Sequence, residues 1–561
     1  MAEEHSGARR IGERIVRAMI VVGIFHVFWR LGGFLVAWLV KHLYGTTIQA
    51  DAYFYATEFV LLPIYFIGEE SLGPSFMPVF IREIEEKVEE KAWEFASTVL
   101  NLLAILLVVT VLVGIVWAPE IVRLVAPGFK DRADETMEMT TRLVRLMIPA
   151  LLGLSLGSVT YVIINGYKVF GYPAAGDAVQ RFLTFAMIGV GFMTLNLGLD
   201  ATAVGVLAGA AGKILTHFVW LRRKVVFYRF RVALRSPAMR QFVMLMVPLL
   251  VGIVFARLRD FVRGRYQSYL AVGIPADVTL GRKVGALPEA VIPYALSIAI
   301  FPFLCDLWAR RDTEGLGRVV TRGLDLVALF FVPLSITMIV LREPLVRMLF
   351  DRGHWEAYHV YYCSTALAVY ASGLAFYAAE MVLMQSFFSM QNTWVPVGIG
   401  VLSSGLMILI LFVTIDVVGV SREASFWPIV LVFPIGKVLK NVVLVLLMRR
   451  KVPVLPWATF GRFLARLAVV TVGCGASAYG AYRLASAVLP LPDVPEGVRF
   501  SSSYEVVKAV HLSVPSLAAV AAFLLLAWRL QMEEFQMVME WVRSKLSRKG
   551  MPAAGGRGDA Q

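Results

Sequence analysis

The chain has 561 residues, of which 58% are hydrophobic and 17% charged, and its mean hydropathy is +0.71. Soluble domains hold about 45–50% apolar and about 25% charged residues, so the composition argues against a soluble globular protein and for a polytopic membrane protein. The formal net charge of +14 is the excess expected of cytoplasmic loops and gives no reason to invoke nucleic acid.

The N-terminal stretch "MAEEHSGARRIGERIVR" is charged. The apolar run after it is too long for a signal-peptide core and lacks a small-residue cleavage site, so it reads as a retained first span. A helix needs about 20 apolar residues to cross the hydrocarbon core. Windows of that size predict about fourteen spans, at 17–44, 53–81, 94–117, 143–166, 180–197, 201–221, 241–270, 284–308, 323–345, 360–389, 395–417, 427–448, 462–487 and 509–529. The fold class is therefore all-α.

Basic residues collect in the loops after even-numbered spans. Arg222, Arg223, Lys224, Arg229, Arg231, Arg235 and Arg240 follow span six, Arg310, Arg311, Arg318 and Arg322 follow span eight, and Arg449, Arg450 and Lys451 follow span twelve. The loop "IREIEEKVEEKAWE" after span two is acidic but still carries Arg82, Lys87 and Lys91. Acids count little in this rule, so an even number of spans with both termini cytoplasmic is the consistent solution.

A weak repeat runs through the chain. "ADAYFYATEFVLLP" from Ala50 resembles "ADVTLGRKVGALP" from Ala276; Pro78 and Pro302 are 224 apart, and Pro173 and Pro396 are 223 apart. The expected organisation is an N-lobe of six spans at 1–221, a basic loop at 222–240, a C-lobe of six spans at 241–448, two further spans at 449–530, and a tail at 531–561. Parallel two-lobed repeats are a transporter architecture. In the tail, Met532, Phe535, Met539 and Val542 fall at helical spacing and predict an amphipathic helix on the cytoplasmic surface. The final "MPAAGGRGDAQ" is expected to be disordered.

A charge at the bilayer centre costs about 2.5–3.5 kcal/mol on insertion scales, so charged residues inside spans face a cavity, a partner or the interface. Arg30, Asp51, Lys213, Arg257, Arg259, Asp260, Arg263, Arg265, Arg282 and Glu380 are such positions. In "FARLRDFVRGRYQSYL", Asp260 lies three residues from both Arg257 and Arg263 and can pair with either. One acid cannot neutralise four guanidiniums, so the surplus calls for an anion, water or headgroups. Guanidiniums bind phosphate oxygens in a planar fork, which makes a diphosphate lipid a fitting ligand. Arg257 and Arg259 are expected to face a cavity, whereas Arg263 and Arg265 are expected to reach the outer interface by extending their stems.

Other motifs carry no chemistry. "GAAGK" at Gly209–Lys213 lacks the leading glycine and the Ser/Thr of a phosphate-binding loop and reads as a close helix-packing face. The histidines are scattered without metal-binding pairs at helical spacing. Cys305, Cys363 and Cys474 are far apart and odd in number, which argues against a disulfide framework or a metal site. No nucleophile motif stands in a strand-turn-helix context, so the chain does not read as an enzyme, and no cofactor is expected.

The segments "LYGTTIQADAYF", "GEESLGPSFMPVF", "VAPGF" at 125–129, "INGYKVFGYPA", "LFDRGHWEA" and "MQSFFSMQNTWVP", in this order and spacing, make the chain resemble the MurJ (MviN) family, the lipid II flippases of the MOP exporter superfamily. The resemblance covers most of the chain, with gaps in the last two spans. It implies a fourteen-helix bundle with a cationic central cavity. It also implies outward movement of a lipid-linked diphosphate oligosaccharide across the bacterial inner membrane by alternating access, with a role in peptidoglycan synthesis and cell-wall synthesis proteins as partners. By this resemblance Arg30 and Gly33 match a first-helix Arg-x-x-Gly pattern, Asp51 an Asp-Ala-Phe motif, Glu69 the acid of Gly-Glu-Gly, and Arg282 an eighth-helix arginine whose usual preceding aspartate is Gly281 here.

The chain also departs from the family. An Arg-Asp pair expected in the cavity falls on Val36 and Ala37, a second-helix arginine falls on Ile64 or Tyr65, and another arginine falls on Gln385. The seventh helix, usually poor in charge, carries four arginines instead. The substrate-binding set is therefore expected to be Arg30, Arg257, Arg259, Asp260 and Arg282, with the cationic site shifted toward helix seven. Asp51, Glu69 and Glu380 are candidate coupling or structural acids, for coupling to membrane potential, Na+ or H+. Alternative readings are a flippase for another polyprenyl-linked glycan of the O-antigen or capsule type, a drug or ion exporter of the same superfamily, and a transport-inactive membrane scaffold.

Overall fold

The computed structural model describes residues 25, 27–86, 89–129, 134–290, 292–351, 356–492 and 502–540, and among them it is helical with no strand. Each of the fourteen expected windows carries a helix. Nine of these among the described residues are long and apolar enough to cross a membrane on length and composition alone, or ten if the pair Glu135–Met147 and Ala150–Gly166, bent by 45°, is one span. The eighth window is broken: a short helix Ile274–Gly285 and a 3₁₀ turn Pro288–Ala290 precede Ile292–Ala309.

These helices expose their apolar side chains. On Glu89–Val116, Leu106, Val109 and Leu112 are exposed, and only 28% of its apolar window is buried. Water would not tolerate so large an apolar surface, whereas lipid tails solvate it. In lipid the hydrophobic effect does not draw helices together, so packing relies on small residues that let backbones approach. Gly209 does this: a Cβ there would lie 2.6 Å from the Gln180 carbonyl oxygen, which holds Asp200–Leu221 close against Gly171–Met193.

By contacts the chain divides into two compact units. The first comprises Met1–Ile292, Trp355–Tyr370 and Trp394–Lys440. One of its cores is aromatic, with Phe76 stacked on Phe95 at 4.9 Å and both near Phe242. A second core joins Tyr266, Leu270, Ile274 and Val278 to Tyr370, Met407 and Phe426. In this unit the basic loop is pinned to the acidic segment that fitted the charge rule poorly. Lys224 pairs with Glu89 at 2.6 Å and Arg231 with Glu94 at 3.0 Å, and Asn101 donates to the carbonyls of Arg229 and Arg231. The loops after spans two and six therefore lie on one side, and the acids of the first answer the bases of the second.

The repeat-related segments begin their helices alike. Ile48–Phe54 opens "IQAD" and Ile274–Gly285 opens "IPAD", each with its aspartate at the fourth helical position.

The second unit comprises Pro293–His354, Ala371–Thr393 and Asn441–Gln561. Met532 and Phe535, 1% and 6% exposed, pack with Leu329, Phe463, Leu467 and Val470. The predicted amphipathic stripe is thus real, but its apolar face is covered by protein helices rather than laid on lipid; the same stripe serves either surface. Val542 lies outside the described residues.

Candidate functional site

The site is built from three elements of the first unit, one of them the helix Ile274–Gly285, which carries Arg282 and Lys283. The second is the helix Pro237–Gln267. The third is the turn Tyr55–Leu61, which is π-helical and continues into Leu62–Glu86. Pro63 explains the widened turn: it has no N–H for the Phe59 carbonyl and its ring crowds that carbonyl, while the Leu62 N–H reaches back five residues to Thr57. Glu58 projects from this turn.

On Pro237–Gln267, Asp260 accepts from Arg259 at 2.9 Å and pairs with Arg257 at 3.4 Å. Arg257 also pairs with Glu70, and Arg259 lies over the Phe433 ring at 5.1 Å. Glu58 takes Arg282 at 3.0 Å and Lys283 at 2.5 Å. Arg263 joins the two groups, within electrostatic reach of both Asp260 and Glu58. Among the described residues, five cations (Arg257, Arg259, Arg263, Arg282 and Lys283) thus meet three acids (Glu58, Glu70 and Asp260). Arg181 extends the patch, since its field reaches Lys283. Its Nε is buried without a hydrogen-bond partner, and its guanidinium sits 5.1 Å from the Trp29 ring. Arg30, which is exposed, lies over the same ring at 5.6 Å.

Arg263 corrects the sequence expectation. It is 5% exposed and lies over Phe59 at 5.2 Å, because Tyr55 donates to the Gly264 carbonyl at 2.9 Å and brings the two elements together there. Arg265 donates to the Leu124 carbonyl at 3.4 Å.

A second cluster ties the repeat-related segments. Gly273, at φ +81°, is the N-cap of Ile274–Gly285 and has no side chain to cap it. Asp51, 1% exposed, does so from another helix: its carboxylate accepts from the N–H groups of Gly273 at 2.8 Å and Ala276 at 2.9 Å. Asp277 meets Nδ1 of His359 at 2.6 Å and Nζ of Lys41 at 3.8 Å.

The remaining candidates lie apart. Lys213 is buried against Asp177 at 2.8 Å and Tyr65 at 3.2 Å, which reads as a structural pair. Glu380 is buried on Leu374–Ser389 in the second unit. The side chain of Glu69 lies outside the described residues. Val36 and Ala37 are buried. Sequence reasoning missed Glu58, Glu70, Arg181 and Lys283. A charge within the apolar run "FYATEFVLLP" was the available signal for Glu58. No group of three or more metal-ligating side chains is present among the described residues.

The fold and the embedded charges together define a multi-pass α-helical membrane protein whose architecture recurs in solved membrane proteins. A structure titled "Lipid II flippase MurJ, inward closed conformation" aligns with TM-score 0.71 at 18% identity, covering 91% of this chain and 99% of that one. An inward-facing MATE family multidrug transporter of the MOP superfamily aligns with TM-score 0.63 at 14% identity, over 78% of this chain and 98% of that one. The sequence profile of the family described as "Lipid II flippase MurJ" matches residues 40–490, and the chain belongs to that family. Relatives include a "Probable lipid II flippase MurJ" of Buchnera aphidicola subsp. Schizaphis graminum, 22% identical over 69% of this chain and 76% of the relative. The "Lipid II flippase MurJ" of Burkholderia cenocepacia is likewise 22% identical, over 69% of this chain and 76% of the relative.

Proposed function

We propose that this chain translocates a lipid-linked diphosphate sugar of the lipid II type across a bacterial inner membrane by alternating access, without making or breaking covalent bonds. The observation that carries the reading is the surplus of cations over acids in the cluster around Glu58 and Asp260. Guanidiniums present paired donors that fit phosphate oxygens, and within a bilayer such a surplus is retained only for a ligand or pathway. Glu58 and Asp260 hold the cations in place at reduced electrostatic cost. A diphosphate would compete with these acids for the same guanidiniums.

Alternating access further requires contacts that form in one state and break in the other. The Asp51 cap on Ile274–Gly285 is such a contact, made between the repeat-related segments. In this reading residues 1–221 and 241–448 form two six-helix lobes, 449–530 adds two spans, and both termini are cytoplasmic. Lipid and cell-wall synthesis proteins are the expected partners, and membrane potential, Na+ or H+ is the driving force.

A second reading, transport of another polyprenyl-linked glycan, draws support from Val36, Ala37 and Tyr65. These positions resemble arginine- and aspartate-bearing ones of the family, yet here they are apolar or hydrogen-bonded to Lys213. Purified protein in proteoliposomes, offered lipid II and an O-antigen-type lipid diphosphate in turn, separates the two. Lipid II transport together with rescue of a flippase-depleted cell supports the first reading. Transport of only the other lipid replaces it with the second, and transport of neither rejects both.

A further inference from the structure

The second unit contains a cavity of about 330 Å³, near the lower end of the about 300–1,000 Å³ typical of small-molecule sites. It is walled by the helices Thr313–Val340 and Trp457–Val488 and by the short helix at 533–540. Its charged lining is Arg322, Arg462 and Arg466 against Asp325, Glu533 and Glu534, and its apolar lining is Phe463, Met532 and Met537. Asp325 is 9% exposed, and its Oδ1 has no hydrogen-bond partner. A buried carboxylate oxygen without a donor is costly, so the cavity wall offers an acceptor that a ligand's N–H can satisfy.

The depth of the cavity identifies the source of that ligand. Arg322 and Asp325 precede the apolar run "LVALFFVPLSITMIV", Arg462 and Arg466 precede "LAVVTVGCGASA", and the chain reaches Glu533 just after the apolar run ending at Trp528. Three spanning helices thus change from apolar to charged at one level, where lipid headgroups lie. The charge pattern identifies the chemistry. Three guanidiniums face three carboxylates, so a purely anionic ligand gains no net attraction and would be repelled by Asp325. A ligand carrying a phosphate and an N–H cation matches both signs.

We propose that this cavity binds a phosphate joined to a primary ammonium, as in a phosphatidylethanolamine headgroup, with the phosphate on Arg322, Arg462 and Arg466 and the ammonium on Asp325. Phosphatidylcholine presents the same charges but its quaternary ammonium has no N–H to donate to Oδ1. Phosphatidylglycerol has the phosphate and no cation. The site lies in the second unit and is independent of the flippase reading.

The test uses the full chain in nanodiscs containing equal parts of phosphatidylethanolamine, phosphatidylcholine and phosphatidylglycerol, with retained lipids counted by native mass spectrometry. The wild-type chain is expected to retain phosphatidylethanolamine about tenfold over either other lipid. Asp325→Asn, which keeps the shape, is expected to lose that preference, and Arg462→Gln with Arg466→Gln to lose the retained lipid. These two arginines are exposed, so the second variant keeps the test decisive if Asp325→Asn does not fold. Equal retention of the three lipids by wild type, or a phosphatidylglycerol preference, overturns the proposal. So does an undiminished preference in folded Asp325→Asn, or retention unchanged in the arginine variant. Soluble O-phosphoethanolamine is the final arm: no displacement of lipid at millimolar excess supports a lipid source, and full displacement replaces it with the free metabolite.

Discussion

Replacing Asp51 by alanine removes a helix cap that the sequence of the capped helix does not provide. The wild-type carboxylate accepts from the N–H groups of Gly273 at 2.8 Å and Ala276 at 2.9 Å in a site where it is 1% exposed. Losing a capping side chain costs about 0.5–2 kcal/mol. Losing two hydrogen bonds to a charged group in a buried place sets an upper bound of about 3–6 kcal/mol. Part of that is recovered by water once the contact opens, so a net loss of about 2 kcal/mol is expected, or about 30-fold in the open-to-closed ratio. Amide hydrogen exchange over residues 271–280, measured on purified protein, reads this ratio directly. Exchange there is expected to accelerate about 30-fold in Asp51→Ala, with segments of the second unit unchanged; Asp51→Asn, which keeps one acceptor oxygen, should fall between. Wild-type exchange rates in Asp51→Ala would refute the view that this carboxylate holds the two segments together.

Three further outcomes follow from the packing and charge. Glu58→Gln leaves Arg282 and Lys283 without their acid, so thermal stability should fall by about 1–3 kcal/mol while affinity for a lipid diphosphate rises; weaker binding in a titration would contradict an anion site. Gly209→Leu drives a side chain into the Gln180 carbonyl and should destabilise by about 1–3 kcal/mol, seen as a lower melting temperature, and an unchanged melt would deny the close approach. Phe535→Ala empties part of the core shared with Phe463 and Leu467, costing up to about 3–5 kcal/mol locally. Limited proteolysis should then cut near 530–540, and resistance equal to wild type would argue against that anchoring.

Much of the architecture was legible because hydropathy and length decide where a helix can cross a bilayer, and charge decides which loops share a side. The arginine row on Pro237–Gln267 was visible for the same reason: charge inside an apolar run is costly and stands out. Its partners were not. Glu70 lies 187 residues from Arg257, and Glu58 lies 224 from Arg282, and no local pattern encodes pairing at such separations. Arg263 was expected at the interface because its position along the helix gives depth but not the neighbour that covers it. Asp51 stood out as a charged residue, yet its role depends on a glycine cap more than two hundred residues away. Met532 and Phe535 show the converse: the stripe was plain, but periodicity does not say whether lipid or protein receives it.

The central claim is that the cationic surplus on Pro237–Gln267 receives the substrate. Removing Arg257 and Arg259 alone would leave Asp260 without its two ion-pair partners, so the decisive variant is Arg257→Ala, Arg259→Ala and Asp260→Asn together, assayed for lipid diphosphate flipping in proteoliposomes with membrane insertion and melting temperature checked in parallel. The account predicts normal insertion and at least a tenfold loss of transport. Wild-type transport by this variant would contradict it.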